Sequence, residues 1–158
     1  MTEFPTTESS VAESPEAEFP VSAVLFACEM NVVRSAMAEA WMKYFHGKKI
    51  YIDSCGLRAG EPDPFVVAVM AEVGIDVSQH KSKTFDQLHD SSFDIIVALA
   101  PAAQFRAIDF SHSQAIKVAF WPTTDATAEY GARERRLEAY RAVRDYLRDR
   151  ILEKFPIS

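Results

Sequence analysis

The amino-acid sequence predicts an α/β fold of three layers, in which a four-stranded parallel sheet carries helices on both faces. Short apolar runs alternate along the chain with longer amphipathic segments, which is typical of strand–helix–strand units. Residues 93–98 form a continuous, β-branched run of the kind that is buried on both sides of a sheet. The 158 residues are 48% hydrophobic, which suffices for one packed core.

The first unit comprises two strands and the helix between them. Residues 21–27 are an apolar run and are predicted to form a buried strand. Residues 34–46 are predicted to form a helix, because large apolar side chains recur four residues apart and Gly47 can cap its end. Residues 49–54 alternate between apolar and polar side chains, which predicts the second strand.

A loop rich in glycine and proline, residues 56–64, leads into the second helix. Pro64 suits the first turn of that helix, and Gly74 is expected to end it. Residues 77–83 are predicted to be a connector, and residues 85–88 a short helical turn.

The second half of the chain repeats the alternation. The strand at residues 93–98 is followed by a helix predicted from Pro101 to near Asp109, then by a strand at residues 115–120. A loop, residues 121–129, precedes a long amphipathic helix over residues 131–155. Arginine and acidic residues are interleaved on its polar face, which favours a solvated, ion-paired surface over nucleic-acid binding.

Charge is distributed unevenly between the N-terminal segment and the rest of the chain. Residues 1–20 contain five glutamates and no lysine or arginine, together with three prolines, and are predicted to be a disordered acidic tail. The tail is either solvated without a role or the docking site of a partner. Residues 21–158, with a formal charge of −1 out of the total of −6, are predicted to form a single domain.

Several classes of protein are disfavoured by composition. A net acidic chain argues against binding nucleic acid or a membrane surface, and no apolar stretch approaches the length of a transmembrane helix. No secretory signal is recognisable, so we expect a cytoplasmic protein whose thiols stay reduced. Two cysteines and four scattered histidines give no disulfide framework and no metal-ligand spacing, and we expect neither a metal nor a cofactor.

The segment with a chemical signature lies between the first strand and the first helix. Cys28 is followed by five residues and then by Arg34 and Ser35. Backbone N–H groups at such a junction converge on an anion, the helix dipole favours a thiolate, and arginine can bind two phosphate oxygens. Asn31 is the residue type, glycine aside, that best tolerates a left-handed turn. A buried cysteine with only a packing role is the alternative.

The motif resembles the phosphate-binding loop of the low-molecular-weight protein tyrosine phosphatases, whose fold the related arsenate reductases share. Three further stretches are similar to that family: residues 35–40 (SAMAEA), 53–56 (DSCG) and 74–82 (GIDVSQHKS). The resemblance extends over most of residues 21–155, and it implies the same fold.

The resemblance also implies roles for individual residues. Cys28 would be the nucleophile and Arg34 would bind the equatorial phosphate oxygens. Ser35 would donate a hydrogen bond to the Cys28 thiolate, and Asn31, bonded to Ser54 in a supporting role, would hold the loop in shape. The phosphate-binding residues would be Glu29, Met30, Asn31, Val32, Val33, Arg34 and Ser35.

The family places its general acid, an aspartate, in the loop after the fourth strand. The matching residue is Asp125, the only carboxylate in that loop before Glu129, and the alternative is an ordinary turn residue. Ala126 replaces the proline that usually follows, and Thr127 replaces an aromatic wall residue. These departures leave the preference for phosphotyrosine open.

The predicted function is hydrolysis of phosphate monoesters, on a phosphorylated protein or a small phosphoester, through a cysteinyl-phosphate. An arsenate reductase is the first alternative, and a non-catalytic phosphate-binding regulatory module is the second. Cys55 follows the second strand and is either inert or a disulfide partner that protects oxidised Cys28.

Overall fold

The computed structural model describes residues 21–90, 92–112 and 114–157. The strands are β1 (Ala23–Cys28), β2 (Tyr51–Gly56), β3 (Ile95–Ala98) and β4 (Lys117–Phe120). They form one parallel sheet in the order β2-β1-β3-β4. The helices are α1 (Arg34–His46), α2 (Pro64–Ala71), α3 (Pro101–Phe110) and α4 (Arg133–Lys154). Two single 3-10 turns lie at Phe85–Gln87 and Ala126–Ala128.

The predicted fold class is confirmed, and the bounds of α1 agree with the prediction at both ends. The second strand begins and ends two residues later than the predicted 49–54, because residues 51–56 are the ones that pair with the whole of β1, from Ala23 to Cys28. The last helix begins at Arg133 rather than at Gly131. Gly131 has φ +107°, a conformation outside the right-handed helical region.

The side chains of β1 alternate between two hydrophobic clusters, one on each face of the sheet. Val24, Phe26 and Cys28 pack with α1, α2 and α4. Leu25 and Ala27 point to the other face, where they pack with α3 and with Phe85. Every residue of β1 is buried, so the strand lies at the centre of the three layers.

Three helices on the first face are joined by the side chain and the backbone carbonyl of Arg144 in α4. Its Nη1 donates to the carbonyl oxygen of Val69 in α2 at 2.8 Å and to Glu72 Oε1 at 2.8 Å. Trp41 in α1 donates its indole N–H to the carbonyl oxygen of Arg144 at 2.9 Å. These bonds satisfy polar groups that packing removes from water.

The predicted acidic tail, residues 1–20, lies outside the described residues, and its separation from a single domain stays a prediction. In the part of the chain that the structure describes, no helix has both the length and the apolar character needed to cross a bilayer.

Candidate active site

The loop between β1 and α1 is held in an unusual backbone conformation. Asn31 has φ +59° and is the one non-glycine residue with positive φ among the described residues. The carbonyl oxygen of Glu29 accepts from the N–H groups of Leu57 and Arg58, at 2.8 and 2.9 Å. A Cβ at Gly56 would lie 2.7 Å from that oxygen and 2.8 Å from the Asn31 nitrogen, so the close approach requires glycine.

Cys28 ends β1 and directs its thiol towards the first turn of α1. The thiol is 2% exposed, and its Sγ lies 2.9 Å from Ser35 Oγ and 3.4 Å from the Ser35 backbone nitrogen. Both groups of Ser35 can donate to sulfur. The arrangement therefore directs two donors at the sulfur, the atom that would act as a nucleophile.

The direction of the hydrogen bonds around the thiol is fixed by Asn31. Its Oδ1 accepts from the Lys83 backbone N–H at 3.0 Å, so its other atom must be the NH₂ group. That group donates to Ser35 Oγ at 2.8 Å and to Ser54 Oγ at 2.9 Å. Because Ser35 Oγ accepts from Asn31, its own proton is available for Cys28 Sγ at 2.9 Å or for the Cys55 carbonyl oxygen, the more distant acceptor at 3.4 Å.

A second layer of polar residues supports this network from behind the loop. The Ser54 hydroxyl donates to Glu39, a buried carboxylate in α1 that also pairs with Lys43 Nζ at 2.5 Å. His80 Nε2 lies 2.8 Å from the carbonyl oxygen of Asn31, where it must donate, and His80 Nδ1 lies 3.8 Å from Glu39 Oε1. The loop is thus connected through hydrogen bonds and ion pairs to three separate segments.

The sequence did not predict that Glu39 and His80 support the loop. Glu39 lies four residues after Ser35, so both side chains fall on the same face of α1, which is a signal that helical spacing provides. His80 lies in the stretch that is similar to the family, 49 residues from its hydrogen-bond partner. No local pattern reports a contact over that distance.

Arg34 begins α1 and is buried, with Nη1 donating to the carbonyl oxygen of Thr123 at 3.2 Å. This bond uses one of its five N–H donors and joins the start of α1 to the loop after β4. The preceding Val33 makes no side-chain cap on the helix. The first-turn N–H groups therefore face the loop without a capping side chain, as an anion site requires.

Asp125 is exposed and serves as the N-cap of the Ala126–Ala128 turn. Its Oδ1 accepts from the Thr127 N–H at 3.0 Å and from the Thr127 hydroxyl at 2.6 Å, and its Oδ2 has no hydrogen-bond partner among the described residues. Ala126 is 2% exposed and packs in the core with Trp121, which anchors the loop. Asp125 is therefore held in place, and its service as an acid stays a prediction.

The hypothesis that Cys55 forms a disulfide with Cys28 is wrong for this arrangement. The strands are neighbours, but Cys55 pairs with Ala27 and shares its side of the sheet, whereas Cys28 points to the opposite side. Side chains directed apart in this way cannot be bridged without moving the backbone. Burial also raises the pKa of the Cys55 thiol well above its ordinary value, which keeps it protonated.

The chain is similar to a protein-family model and to several known proteins. The family model described as low molecular weight phosphotyrosine protein phosphatase matches residues 23–150. An arsenate reductase of Halalkalibacterium halodurans is 33% identical over 129 residues, 81% of this chain and 91% of the relative. An arsenate reductase of Bacillus subtilis is 31% identical over 131 residues, 82% of this chain and 92% of the relative. A 76-residue match, 37% identical, to a Synechocystis glutaredoxin arsenate reductase spans 58% of that relative.

Solved structures of both kinds of enzyme share the architecture. A structure described as an arsenate reductase in the phosphate binding state superposes with a TM-score of 0.71 and 29% identity, over 87% of this chain and 99% of the other. The tyrosine phosphatase AmsI of Erwinia amylovora gives a TM-score of 0.69 and 21% identity, over 85% of this chain and 91% of the other. The second likeness concerns the fold alone.

Proposed function

Because the chain belongs to the low-molecular-weight phosphotyrosine protein phosphatase family, we propose that it hydrolyses phosphate monoesters through a cysteinyl-phosphate at Cys28. The observation that carries the proposal is the pair of donors from Ser35 to the Cys28 sulfur, 2.9 and 3.4 Å away. A cysteine with only a packing role has no need of two donors at its sulfur, one of them a hydroxyl that also accepts from a buried amide.

In the first step, Cys28 Sγ attacks phosphorus and the bond to the ester oxygen breaks. The loop N–H groups and Arg34 bind the three equatorial oxygens, whose charge grows as the transition state forms. Ser35 donates to the thiolate before attack. Asn31 keeps the hydroxyl of Ser35 turned towards sulfur, since it occupies the acceptor side of that oxygen.

Asp125 supplies the proton that the leaving oxygen takes up, and then removes a proton from the water that hydrolyses the cysteinyl-phosphate. The bond between Arg34 and the Thr123 carbonyl supports this role, because it ties the loop of Asp125 to the phosphate-binding segment. The unpartnered Oδ2 of Asp125 leaves one carboxylate oxygen available for proton transfer. The products are inorganic phosphate and the free thiolate.

The substrate class proposed is a phosphorylated protein or a small phosphoester. Leu57 is half-buried, Arg58 is exposed, and neither provides an aromatic ring at the mouth of the loop. The nearest aromatic residue after the acid loop, Tyr130, is 82% exposed. A screen of different phosphoesters therefore has to decide whether phosphotyrosine is the preferred substrate.

The proposal is tested by hydrolysis of p-nitrophenyl phosphate, phosphotyrosine peptides and small aliphatic phosphates. We expect turnover without added metal, its loss in Cys28→Ser, and a decrease of about 10²-fold or more in kcat for Asp125→Asn. Full activity in Cys28→Ser would contradict the mechanism. Binding of vanadate without turnover of any ester would instead favour a regulatory phosphate-binding module.

Arsenate reduction is the second candidate, favoured by the arsenate reductases that are 31–33% identical over most of this chain. It starts with the same attack, of Cys28 on arsenic. Reduction of arsenate to arsenite then takes two electrons, which two thiols supply as they form a disulfide. Since Cys55 faces the opposite side of the sheet, the second thiol would be an external one, either a small-molecule thiol or a redox protein.

The two candidates are separated by one set of assays on the same preparation. Arsenate-dependent consumption of an added thiol, lost in Cys28→Ser and retained in Cys55→Ala, would support reduction. A preparation that hydrolyses phosphate esters but reduces no arsenate, whichever small-molecule thiol or redox protein is added, would exclude arsenate reduction.

A further inference from the structure

The loop that carries Asp125, residues 121–125 and called here the acid loop, is bound to α4 by one hydroxyl group. Tyr146, in the middle of α4, donates from its hydroxyl to the carbonyl oxygen of Pro122 at 2.8 Å. Proline has no N–H, so this carbonyl is the only backbone group through which Pro122 can form a hydrogen bond. Among the described residues, this is the one hydrogen bond that joins the acid loop to α4.

The carbonyl groups on either side of Pro122 are bound in other ways. The carbonyl oxygen of Trp121 accepts from the Thr123 hydroxyl at 2.8 Å, a bond that lies within the acid loop itself. The carbonyl oxygen of Thr123 accepts from Arg34 Nη1 at 3.2 Å. Arg34 is therefore shared between the acid loop and the proposed phosphate site, whereas the hydroxyl of Tyr146 serves the acid loop alone.

Asp125 lies between two fixed points of the chain. On one side, Trp121 is 3% exposed and donates its backbone N–H to the carbonyl oxygen of Ala98 at 2.9 Å. The guanidinium carbon of Arg150, in α4, lies 5.0 Å from the centre of the Trp121 ring. On the other side, Ala126 is buried in the core. The position of the Asp125 carboxylate therefore depends on how the few residues between these points are held.

We propose that Tyr146 is a positioning residue for the reaction at Cys28. By holding the Pro122 carbonyl, its hydroxyl fixes the acid loop relative to α4 and so sets where the Asp125 carboxyl group meets the leaving oxygen. This role rests on the proposed function, in which Asp125 gives that oxygen a proton. Proton transfer needs the two oxygens to be about 3 Å apart, so a displacement of about 1 Å lowers its rate.

The alternative is a surface hydrogen bond that affects only stability. The two roles can be separated because the hydroxyl can be removed without changing the core. Tyr146 is 36% exposed, and its neighbours Val143 and Leu147 are buried and hold α4 in place. Tyr146→Phe keeps the ring and removes the donor to Pro122. A bond that affects only stability predicts the same activity change for every ester, whereas a misplaced acid predicts a change that depends on the leaving group.

The test compares kcat/KM for phenyl phosphate and p-nitrophenyl phosphate. This ratio includes only the steps up to release of the phenol, which is the stage that Asp125 assists. Phenol is the weaker acid of the two products, so its release depends more on proton donation. We expect Tyr146→Phe to lower kcat/KM by about fivefold for phenyl phosphate, the size expected for one hydrogen bond, and by less than about twofold for p-nitrophenyl phosphate.

Two variants serve as references for this comparison. Asp125→Asn should show the same dependence on the leaving group with a larger loss, because it removes the acid itself. Tyr44→Phe makes the same chemical change on α1, where the side chain is 65% exposed and its hydroxyl has no hydrogen bond among the described residues. It should leave both values unchanged. Thermal unfolding verifies that each variant is folded.

A second measurement does not rely on turnover. The amides of Thr127 and Ala128 are bonded to the side chain and the carbonyl oxygen of Asp125, at 3.0 and 3.2 Å. Their hydrogen exchange therefore reports how firmly this part of the chain is held. We expect exchange to be about fivefold faster in Tyr146→Phe, and unchanged in Tyr44→Phe.

The outcomes separate a failure of this role from a failure of the proposed function. Equal losses for both esters in Tyr146→Phe, with a loss in Asp125→Asn that depends on the leaving group, would overturn the role of Tyr146 and leave the proposed function intact. A loss in Asp125→Asn that is independent of the leaving group would contradict Asp125 as the acid, and Tyr146 would have no acid to position. Unchanged exchange in Tyr146→Phe would overturn the role of Tyr146 whatever the kinetics.

Discussion

Asn31→Ala tests whether the phosphate-binding loop depends on one buried amide. Asn31 has no exposed surface, and its side chain makes three hydrogen bonds, to Ser35, Ser54 and the Lys83 backbone. Its backbone is left-handed, with φ +59°. Alanine removes all three bonds and is also less tolerant of that conformation than asparagine.

The magnitude follows from these two contributions. Three buried hydrogen bonds at about 1 kcal/mol each give a loss of about 3 kcal/mol in the free energy of unfolding. The left-handed backbone adds about 1 kcal/mol for alanine, for a total of about 4 kcal/mol. Asn31→Gly keeps the backbone conformation accessible, so it should lose only the hydrogen-bond part, about 3 kcal/mol. Single domains have 5–15 kcal/mol available, so both variants should remain folded.

Urea unfolding followed by tryptophan fluorescence measures the loss, since Trp41 and Trp121 are both buried. Hydrolysis of p-nitrophenyl phosphate on the same samples gives kcat, which should decrease in both variants because Ser35 is no longer held with its proton towards sulfur. Stability of Asn31→Ala within about 1 kcal/mol of the unchanged chain would refute the reasoning. If kcat nevertheless decreased strongly at that normal stability, the amide would act in the chemistry and not in support of the loop.

Three further predictions follow from other parts of the site and fold. Gly56→Ala should destabilise the domain by about 1–3 kcal/mol in thermal unfolding and weaken phosphate binding, because its Cβ would clash with the loop backbone; unchanged Tm would contradict this. Iodoacetamide at pH 7 should label Cys28 and leave Cys55 unmodified in the folded chain, as read by peptide mass spectrometry, because burial raises the pKa of Cys55 and keeps that thiol protonated. Hydrogen bonds from Arg141 and Arg144 lower the pKa of Glu72 to about 2, so Glu72→Gln should reduce stability most above about pH 4.5. That difference should shrink as the pH falls towards 2, and a difference independent of pH would contradict the assignment.

The fold was predictable because its signals are local. The β-branched run before Ala98 and the four-residue apolar spacing in α1 each report one element without reference to the rest of the chain. The errors lie where a distant segment decides. β2 continues to Gly56 because β1, more than 20 residues earlier in the chain, continues to Cys28 and pairs with it, which no residue near Gly56 indicates.

The site divides in the same way. Cys28, Arg34 and Ser35 lie within a stretch of eight residues and their spacing predicts phosphate chemistry, so they could be found together. Glu39 and His80 reach the loop only through the packing of α1 and the connector against it. Their functions follow from three-dimensional contacts and not from spacing.

Cys55 shows how much depends on strand register. Adjacent strands correctly suggested that Cys55 lies near Cys28, but neighbouring positions along a strand face opposite sides of a sheet. Cys55 pairs with Ala27, one residue before Cys28, and so points away from Cys28. A shift of one residue in register would have placed both thiols on one face.

The opposite orientation of Cys28 and Cys55 also bears on the choice between the two candidate reactions. Attack by Cys28 on phosphorus or on arsenic uses the same loop, so the loop itself does not distinguish them. Hydrolysis next needs a proton donor and a water molecule. The loop that carries Asp125, the proposed donor, is joined to Arg34 by the hydrogen bond from Arg34 to the Thr123 carbonyl oxygen. Reduction next needs a second thiolate, and Cys55 is buried, protonated and on the other face. Within the described chain, our proposal for hydrolysis therefore uses Asp125 as the proton donor, whereas the proposal for reduction takes its second thiol from another molecule.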